Sequence, residues 1–229
     1  MINKIKKIIN VFLNTKKNIG SVLIDKKIIL KYLPDSAIII DCGAHIGTDT
    51  IEFAKNEKNT IYAFEPVEEI FAQLVNNTKD FKNVNCFKLA LNSNDGEQDM
   101  YISSGESDGS SSLLKPKEHL EDHPDVLFND VRKVKCKNLD SWAKENNVAK
   151  VDMLWLDMQG AEQKMLMASK TILDTVKIIH TEVNLHETYE GIESYKSFKT
   201  FLKRSGFKII VEAIPKGYYG GNVLFIRND

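Results

Sequence analysis

The sequence contains little cysteine and shows no excess of either charge. Its 229 residues carry 31 basic and 32 acidic side chains, for a net charge of −1. This balance argues against general nucleic-acid binding, which requires a basic surface. The three cysteines, Cys42, Cys86 and Cys136, lie far apart and form no CxxC pair. They argue against a disulfide framework or a zinc site and indicate free thiols in a reducing compartment, so we expect a cytoplasmic protein.

Long apolar runs are absent as well. No run approaches the roughly 20 residues that a membrane-spanning helix requires. The basic start of the chain lacks the apolar core and the small-residue cleavage site of a signal peptide. Residues 1–20 instead combine apolar positions at helical spacing with lysines, which predicts a helix packed on the domain or a peripheral contact with an anionic membrane or a partner. We expect residues 1–35 to form a helical appendage and residues 36–229 to form the main domain.

Short apolar runs alternate with helical patterns along most of the chain. Such alternation predicts an α/β fold with a doubly wound sheet. The last two strands, FKIIVEA and NVLFIR, are separated by a short connection and predict a C-terminal antiparallel hairpin. The other main strands are predicted at residues 37–41, 59–66, 84–91, 151–157 and 176–184.

A polar stretch interrupts this pattern between Ser103 and Asp130. It is rich in serine, glycine and acids, and it is long for a connection inside a compact domain. Two interpretations stay open, a loop at the mouth of a substrate site or a plain solvated loop. Strands are predicted on either side of it, at residues 96–103 and 131–136.

Acidic residues follow the predicted strands where a doubly wound sheet binds its ligands, at the carboxyl ends. Asp41 precedes a turn with only a G-x-x-x-G pattern, so the third glycine of a dinucleotide-binding fingerprint is missing. A carboxylate there would repel a pyrophosphate and would suit a cationic ligand. Glu65, at the end of the next strand, can accept hydrogen bonds from a ribose diol. A ribose and a positive charge without a phosphate describe S-adenosylmethionine.

Four stretches together resemble the FkbM family of S-adenosylmethionine-dependent methyltransferases: IIIDCGAHIGTDT, YAFEPVEEIFAQL, LALNSNDGE and VDMLWLDMQGAEQKML. The resemblance implies a seven-stranded, Rossmann-like class I methyltransferase sheet and O-methylation of a sugar, a glycan or a related hydroxylated metabolite. The chain departs from the family at His45, where Asn is usual, and at Gln159, where Glu is usual. The cofactor-binding residues that we expect are Asp41, Gly43, His45, Gly47, Glu65, Ala90 and Asp157.

The chemistry is expected near the strands that carry Asp157 and Glu182. His180 and Glu182 are two residues apart on one predicted strand and therefore face the same side. Methyl transfer to oxygen requires an aligned acceptor and a group that takes its proton, and Asp157, His180 and Glu182 are the candidate catalytic residues. Two alternatives stay open: His180 is a buried structural histidine, or Asp157 and Glu182 are ligands of Mg²⁺ or Mn²⁺.

Two other function classes compete with an O-methyltransferase. A nicotinamide-dependent oxidoreductase is disfavoured by the missing glycine. A non-catalytic methyltransferase-like binding subunit is disfavoured because all four acids at strand ends are present. The expected partner is a hydroxylated small-molecule or glycan acceptor and not a nucleic acid. The sequence does not identify that acceptor or the oligomeric state.

Overall fold

The protein is described by a computed structural model that covers residues 23–228. The predicted amphipathic helix within residues 1–20, and its membrane contact, lie outside the described residues. Ile24 and Ile29 are buried, and they pack in one of the two large apolar clusters of the main sheet. The division of the chain at residue 35 stays a prediction.

The described chain contains helices and strands in the order that the sequence pattern predicts for most of its length. The helices are α1 (Lys26–Leu30), α2 (Thr48–Ala54), α3 (Glu68–Thr78), α4 (His119–Asp122), α5 (Leu139–Glu145), α6 (Glu162–Met167), α7 (Lys170–Leu173) and α8 (Tyr195–Arg204). The strands are β1 (Ile38–Cys42), β2 (Thr60–Phe64), β3 (Val84–Phe87), β4 (Ala90–Asn92), β5 (Gly96–Gly105), β6 (Val126–Asn138), β7 (Met153–Leu156), β8 (Ile178–Asn184), β9 (Phe207–Ala213) and β10 (Gly220–Arg227).

The main sheet has seven strands in the order β3-β2-β1-β7-β8-β10-β9. The first five of these strands are parallel, and β10 runs antiparallel to both β8 and β9. This architecture confirms the predicted doubly wound sheet and its C-terminal antiparallel hairpin. The strand order reverses between β1 and β7, which makes their carboxyl ends the expected ligand site of the sheet.

Strand β1 shows why these residues form a central strand. Its isoleucines are buried on both faces, with Ile39 in one apolar cluster and Ile40 in the other. A parallel strand that is covered by helices on both faces usually has a continuous apolar sequence, and the sequence of β1 has this pattern. The strand therefore sits in the middle of the core, and its last residues, Asp41 and Cys42, reach the ligand edge already buried.

A second sheet, β4-β6-β5, is absent from the sequence prediction. The predicted strand at residues 84–91 is wrong as a single strand, because the chain turns after β3, where the Leu89 N–H donates to the Phe87 carbonyl at 3.0 Å. Its end, Ala90 to Asn92, pairs instead with Cys136 to Asn138 of β6. The polar stretch is also shorter than predicted, because β5 continues to Gly105 and β6 already begins at Val126.

Across residues 23–228, none of the helices has the length and apolar character needed to span a bilayer.

Candidate functional site

A cavity of about 230 Å³ opens at the carboxyl ends of β1 and β7; we call it the first cavity. One part of its wall is acidic and another part is apolar. Its acidic residues are Asp41, Asp49, Glu65, Asp108 and Asp157. Its apolar residues include Ile70, Leu89, Leu91, Met100 and Leu113. The combination suits a ligand that has a positive centre at one end and a flat apolar ring at the other.

Asp41 is 1% exposed and accepts a hydrogen bond from the Thr50 hydroxyl. Burial raises the pKa of this carboxyl to about 7, the Thr50 hydrogen bond opposes the rise, and the charges of Asp49 and Asp157 add to it. A ligand cation near Asp41 would favour the ionised carboxylate, because opposite charges attract strongly where water is excluded. The residue is therefore suited to a sulfonium or an ammonium group.

Glu65 lies directly after β2 and is 6% exposed. Its Oε1 accepts from the Val67 N–H at 2.8 Å, and its Oε2 accepts from the His45 N–H at 3.1 Å. Burial raises the pKa of Glu65 to about 7, whereas these two hydrogen bonds lower it. A carboxylate has about four lone-pair sites, so two of them remain for a ligand diol after the backbone amides are satisfied. Glu65 thus joins the glycine turn to the β2 end and still faces the first cavity.

We expect Glu65→Ala to weaken binding of S-adenosylmethionine by about 1.5–3 kcal/mol, the range for hydrogen bonds to a charged group. Titration calorimetry measures the affinity, and a melting curve verifies that the variant is folded. Glu57→Ala, at an exposed position, is the matched control and should bind the donor like wild type. A folded Glu65→Ala variant with unchanged affinity would show that this carboxylate does not contact the donor.

The two glycines of the turn have different roles. Gly43 has φ +79° and lines the first cavity, and a Cβ there would lie 1.9 Å from the Asp157 carbonyl oxygen. Gly47 has φ +90° and caps α2, and a Cβ there would lie 2.8 Å from the Leu74 side chain of α3. Gly43 therefore allows close approach of the β1 and β7 ends, and Gly47 allows α2 to pack on α3.

Asp157 and Glu182 are joined by the side chain of Gln159. The Gln159 Nε2 donates to Asp157 Oδ1 at 2.7 Å and to Glu182 Oε2 at 3.2 Å. The Asp157 side chain stays open to the water of the first cavity, and its pKa is raised by the surrounding protein atoms and then by the charge of Asp49. Burial raises the pKa of Glu182 to about 8, and the charges of Asp157 and Glu162 contribute.

Glu162 stabilises the turn that carries Asp157 and Gln159. It is 7% exposed, and its Oε1 accepts from the Met158 N–H at 2.8 Å and from the Gly160 N–H at 3.3 Å. Burial raises its pKa to about 7, while the backbone hydrogen bonds lower it. The carboxylate therefore holds the turn after β7 in the shape that presents Asp157 and Gln159. This role of Glu162 was not predicted from the sequence, because it depends on the hydrogen bonds that the folded turn makes.

A second cavity, of about 220 Å³, is lined by Gln159 and Glu182 among other residues. It is rich in aromatic rings and in groups that can form hydrogen bonds. Burial lowers the pKa of His119 to about 4, and the proximity of His123 lowers it further, so His119 is neutral at pH 7. The lining residues are Ser110, His119, His123, Gln159, Glu182, Asn184, Thr188, Tyr189, Tyr218, Tyr219 and Gly220.

His180 lies deeper in the sheet than the other candidate residues. It is 3% exposed and stacks on Trp155, with 3.6 Å between the ring centroids and 6° between the ring planes. Neither ring nitrogen has a hydrogen-bond partner among residues 23–228. Burial lowers its pKa to about 3, which makes it neutral. The geometry favours the structural interpretation of His180, and its catalytic role stays a prediction without support from these contacts.

The pair Asp157 and Glu182 does not fit a divalent cation. The Gln159 amide nitrogen, whose two hydrogens are donors, already occupies the space between the carboxylates. Within the described part of the chain, no group of three or more His, Cys, Asp or Glu side chains is arranged to hold a metal ion. The hypothesis of a Mg²⁺ or Mn²⁺ site therefore gains no support.

The remaining candidates for cofactor binding, His45 and Ala90, both line the first cavity, and their binding role stays a prediction. His45 has φ 49°, and its Nε2 lies 3.0 Å from Asp108 Oδ1, which belongs to the serine-rich stretch. That stretch borders both cavities, since Ser111 lines the first and Ser110 lines the second. Tyr189, which lines the second cavity, was not predicted as a site residue, because nothing in the local sequence pattern connects it with a strand end.

Comparison with known proteins agrees with this geometry. The family model of the methyltransferase FkbM domain matches residues 41–209, which is well over half of the chain. The 2-O-methyltransferase NoeI of Sinorhizobium fredii is 26% identical over 215 residues, which cover 91% of this chain and 87% of NoeI.

Solved structures with the same fold are more distant in sequence. The fibrillarin pre-rRNA processing protein of Methanococcus jannaschii superposes with a TM-score of 0.52 at 16% identity, covering 91% of this chain and 70% of that one. The magnesium protoporphyrin IX methyltransferase of Synechocystis PCC 6803, solved with bound SAM, has a TM-score of 0.50 at 10% identity, covering 99% of this chain and 79% of that one. At these identities the likeness concerns the fold alone.

Proposed function

Because the chain belongs to the FkbM family of methyltransferases, we propose that it transfers the methyl group of S-adenosylmethionine to a hydroxyl of a sugar, a glycan or a related hydroxylated metabolite. The observation that carries this proposal is the hydrogen-bonded link through Gln159 between Asp157, which lines the first cavity, and Glu182, which lines the second. A methyl donor in the first cavity and an acceptor in the second would then lie near two linked carboxylates.

The second cavity has the chemistry of a site for a neutral polyhydroxyl compound. Its described lining includes no lysine or arginine, so a phosphate group would find no cationic partner there. Tyrosine and histidine rings offer flat surfaces, while Glu182, Asn184 and Thr188 offer hydrogen-bonding groups. The Thr188 hydroxyl is buried without a partner among residues 23–228, which leaves it available to an acceptor after a small adjustment. The name of the relative NoeI, a 2-O-methyltransferase, supports oxygen as the receiving atom.

In the proposed reaction S-adenosylmethionine supplies a methyl group, whose bond to sulfur breaks as its bond to the acceptor oxygen forms. Asp41 and Asp157 favour the positive charge of the donor, and Glu65 orients it. Glu182 takes the hydroxyl proton as the new bond forms. After transfer the sulfur would carry no charge, so Asp41 and Asp157 would hold the product less strongly than the donor.

Two measurements test the proposed function. Calorimetry should detect binding of S-adenosylmethionine and of its demethylated product, but not of NAD. A methyl-transfer assay with labelled donor should then find turnover on neutral carbohydrates and none on RNA or on phosphorylated sugars. Binding of NAD without response to either adenosyl compound would contradict the donor assignment, and turnover on RNA alone would contradict the acceptor assignment.

A further inference from the structure

We propose that Gln159 is a positioning residue, whose side-chain amide joins Asp157 and Glu182 in the way that a bound cation would join two carboxylates. The proposal rests on the proposed function for the assignment of Glu182 to the acceptor side. Asp157 follows β7 and Glu182 lies near the end of β8, and the amide reaches Oδ1 of Asp157 at 2.7 Å and Oε2 of Glu182 at 3.2 Å. An amide nitrogen carries two hydrogens, so each carboxylate receives one.

The orientation of the amide is determined by the two carboxylates, which accept hydrogen bonds and therefore require its nitrogen. The Tyr189 hydroxyl has one hydrogen and two acceptors beside it, Gln159 Oε1 at 3.0 Å and the Ser110 carbonyl at 2.8 Å, so it can donate to only one of them at a time. If the amide were reversed, its oxygen would face both carboxylates and would be repelled by them. Tyr189 is fully buried, so packing holds its hydroxyl in position. The nitrogen of Gln159 is therefore directed at the acids.

The backbone of Gln159 is held in a conformation that a glutamine rarely adopts. Its φ is 51°, in the left-handed region, and a strained position of this kind persists only where the surroundings enforce it. Here the Ser112 hydroxyl donates to the Gln159 carbonyl at 2.8 Å, and Glu162 accepts from the next N–H, that of Gly160. The strain therefore occurs at the one residue whose side chain spans both acids.

Loss of the Gln159 amide and its replacement by a carboxylate should have different consequences. Without Gln159, the carboxylates of Asp157 and Glu182 repel each other with no amide between them, and Glu182 loses its alignment with the acceptor. Gln159→Glu would bring a third carboxylate to the same point. Three carboxylates supply the oxygen ligands that Mg²⁺ and Mn²⁺ prefer, so this variant should need a cation where wild type needs none.

The test compares wild type with Gln159→Leu, Gln159→Glu and the exposed control Gln73→Glu. Both Gln159 variants should lose about 10²-fold in kcat, the scale of a misplacement of about 1 Å, with the donor KM near that of wild type. Electron paramagnetic resonance with Mn²⁺ alone should show a bound ion only in Gln159→Glu, and added Mn²⁺ should restore part of its kcat. Wild type and the control should be indifferent to both Mn²⁺ and EDTA.

Tyr189→Phe removes this shared donor while Gln159 and both carboxylates are retained, so it should lower kcat less than Gln159→Leu does. Wild-type kcat in folded Gln159→Leu would overturn the proposal, as would equal Mn²⁺ binding by wild type and Gln159→Glu. If no acceptor turns over, the proposed function fails instead. The Mn²⁺ comparison then still decides the role of the amide, because it requires no acceptor.

Discussion

Glu182→Gln is expected to lower kcat by about 10²–10⁴-fold, the range lost with a general base, while the affinity for the donor changes little. Glu182 borders the second cavity, and its pKa is raised to about 8, mainly by burial. Glutamine keeps the size of the side chain but cannot take a proton. Since a base must be ionised to act, wild-type kcat should rise as the pH approaches 8 and level off above it. The variant should lack this rise.

The matched control for this substitution is Glu145→Gln, an exposed glutamate of α5. It removes one charge in the same way and should keep wild-type kcat and the same dependence on pH. Calorimetry with the donor verifies that the first cavity is intact in both variants. If Glu182→Gln transferred methyl groups at the wild-type rate, Glu182 would be a structural residue at a strand end.

Gly43→Ala is expected to lower the free energy of unfolding by about 2–5 kcal/mol. This range combines about 1–2 kcal/mol for a left-handed backbone with about 1–3 kcal/mol for overpacking. The new Cβ would lie 1.9 Å from the Asp157 carbonyl oxygen, so the end of β1 must move away from the end of β7. Because Asp41 near the end of β1 and Asp157 directly after β7 both line the first cavity, donor affinity should fall as well.

Gly217→Ala separates the two contributions. Gly217 has φ +86°, close to the +79° of Gly43, but a Cβ there would have no atom within 4 Å. Its substitution should therefore cost only the backbone strain, about 1–2 kcal/mol, and leave donor binding unchanged. Urea unfolding measures both losses. Equal losses in the two variants would mean that Gly43 does not mediate a close approach between the strands.

Much of the main sheet was predictable, because its strands carry their own signal. The segments of β1, β7 and β8 are buried on both faces and read as continuous apolar runs. The second sheet was not predictable in this way. Its strand β4 continues the apolar run of β3, and only the turn at Leu89 and the pairing with β6 separate the two. A local pattern shows that a segment is extended, but it does not show which partner the segment pairs with.

The positions of the acids in the site could be predicted from local sequence, but the contacts between them could not. The sequence alone predicted Asp41, Glu65, Asp157 and Glu182 as site residues, because acids at or near the carboxyl ends of buried parallel strands lie at the ligand edge of the sheet. Tertiary structure decided which of them meet and through what. The amide of Gln159 contacts a carboxylate from the neighbouring strand and a tyrosine 30 residues away. Such contacts depend on how strand ends and loops pack against each other in three dimensions. Residues that are far apart in the chain produce no periodic sequence pattern when they pack together, so these contacts could not be predicted from the sequence.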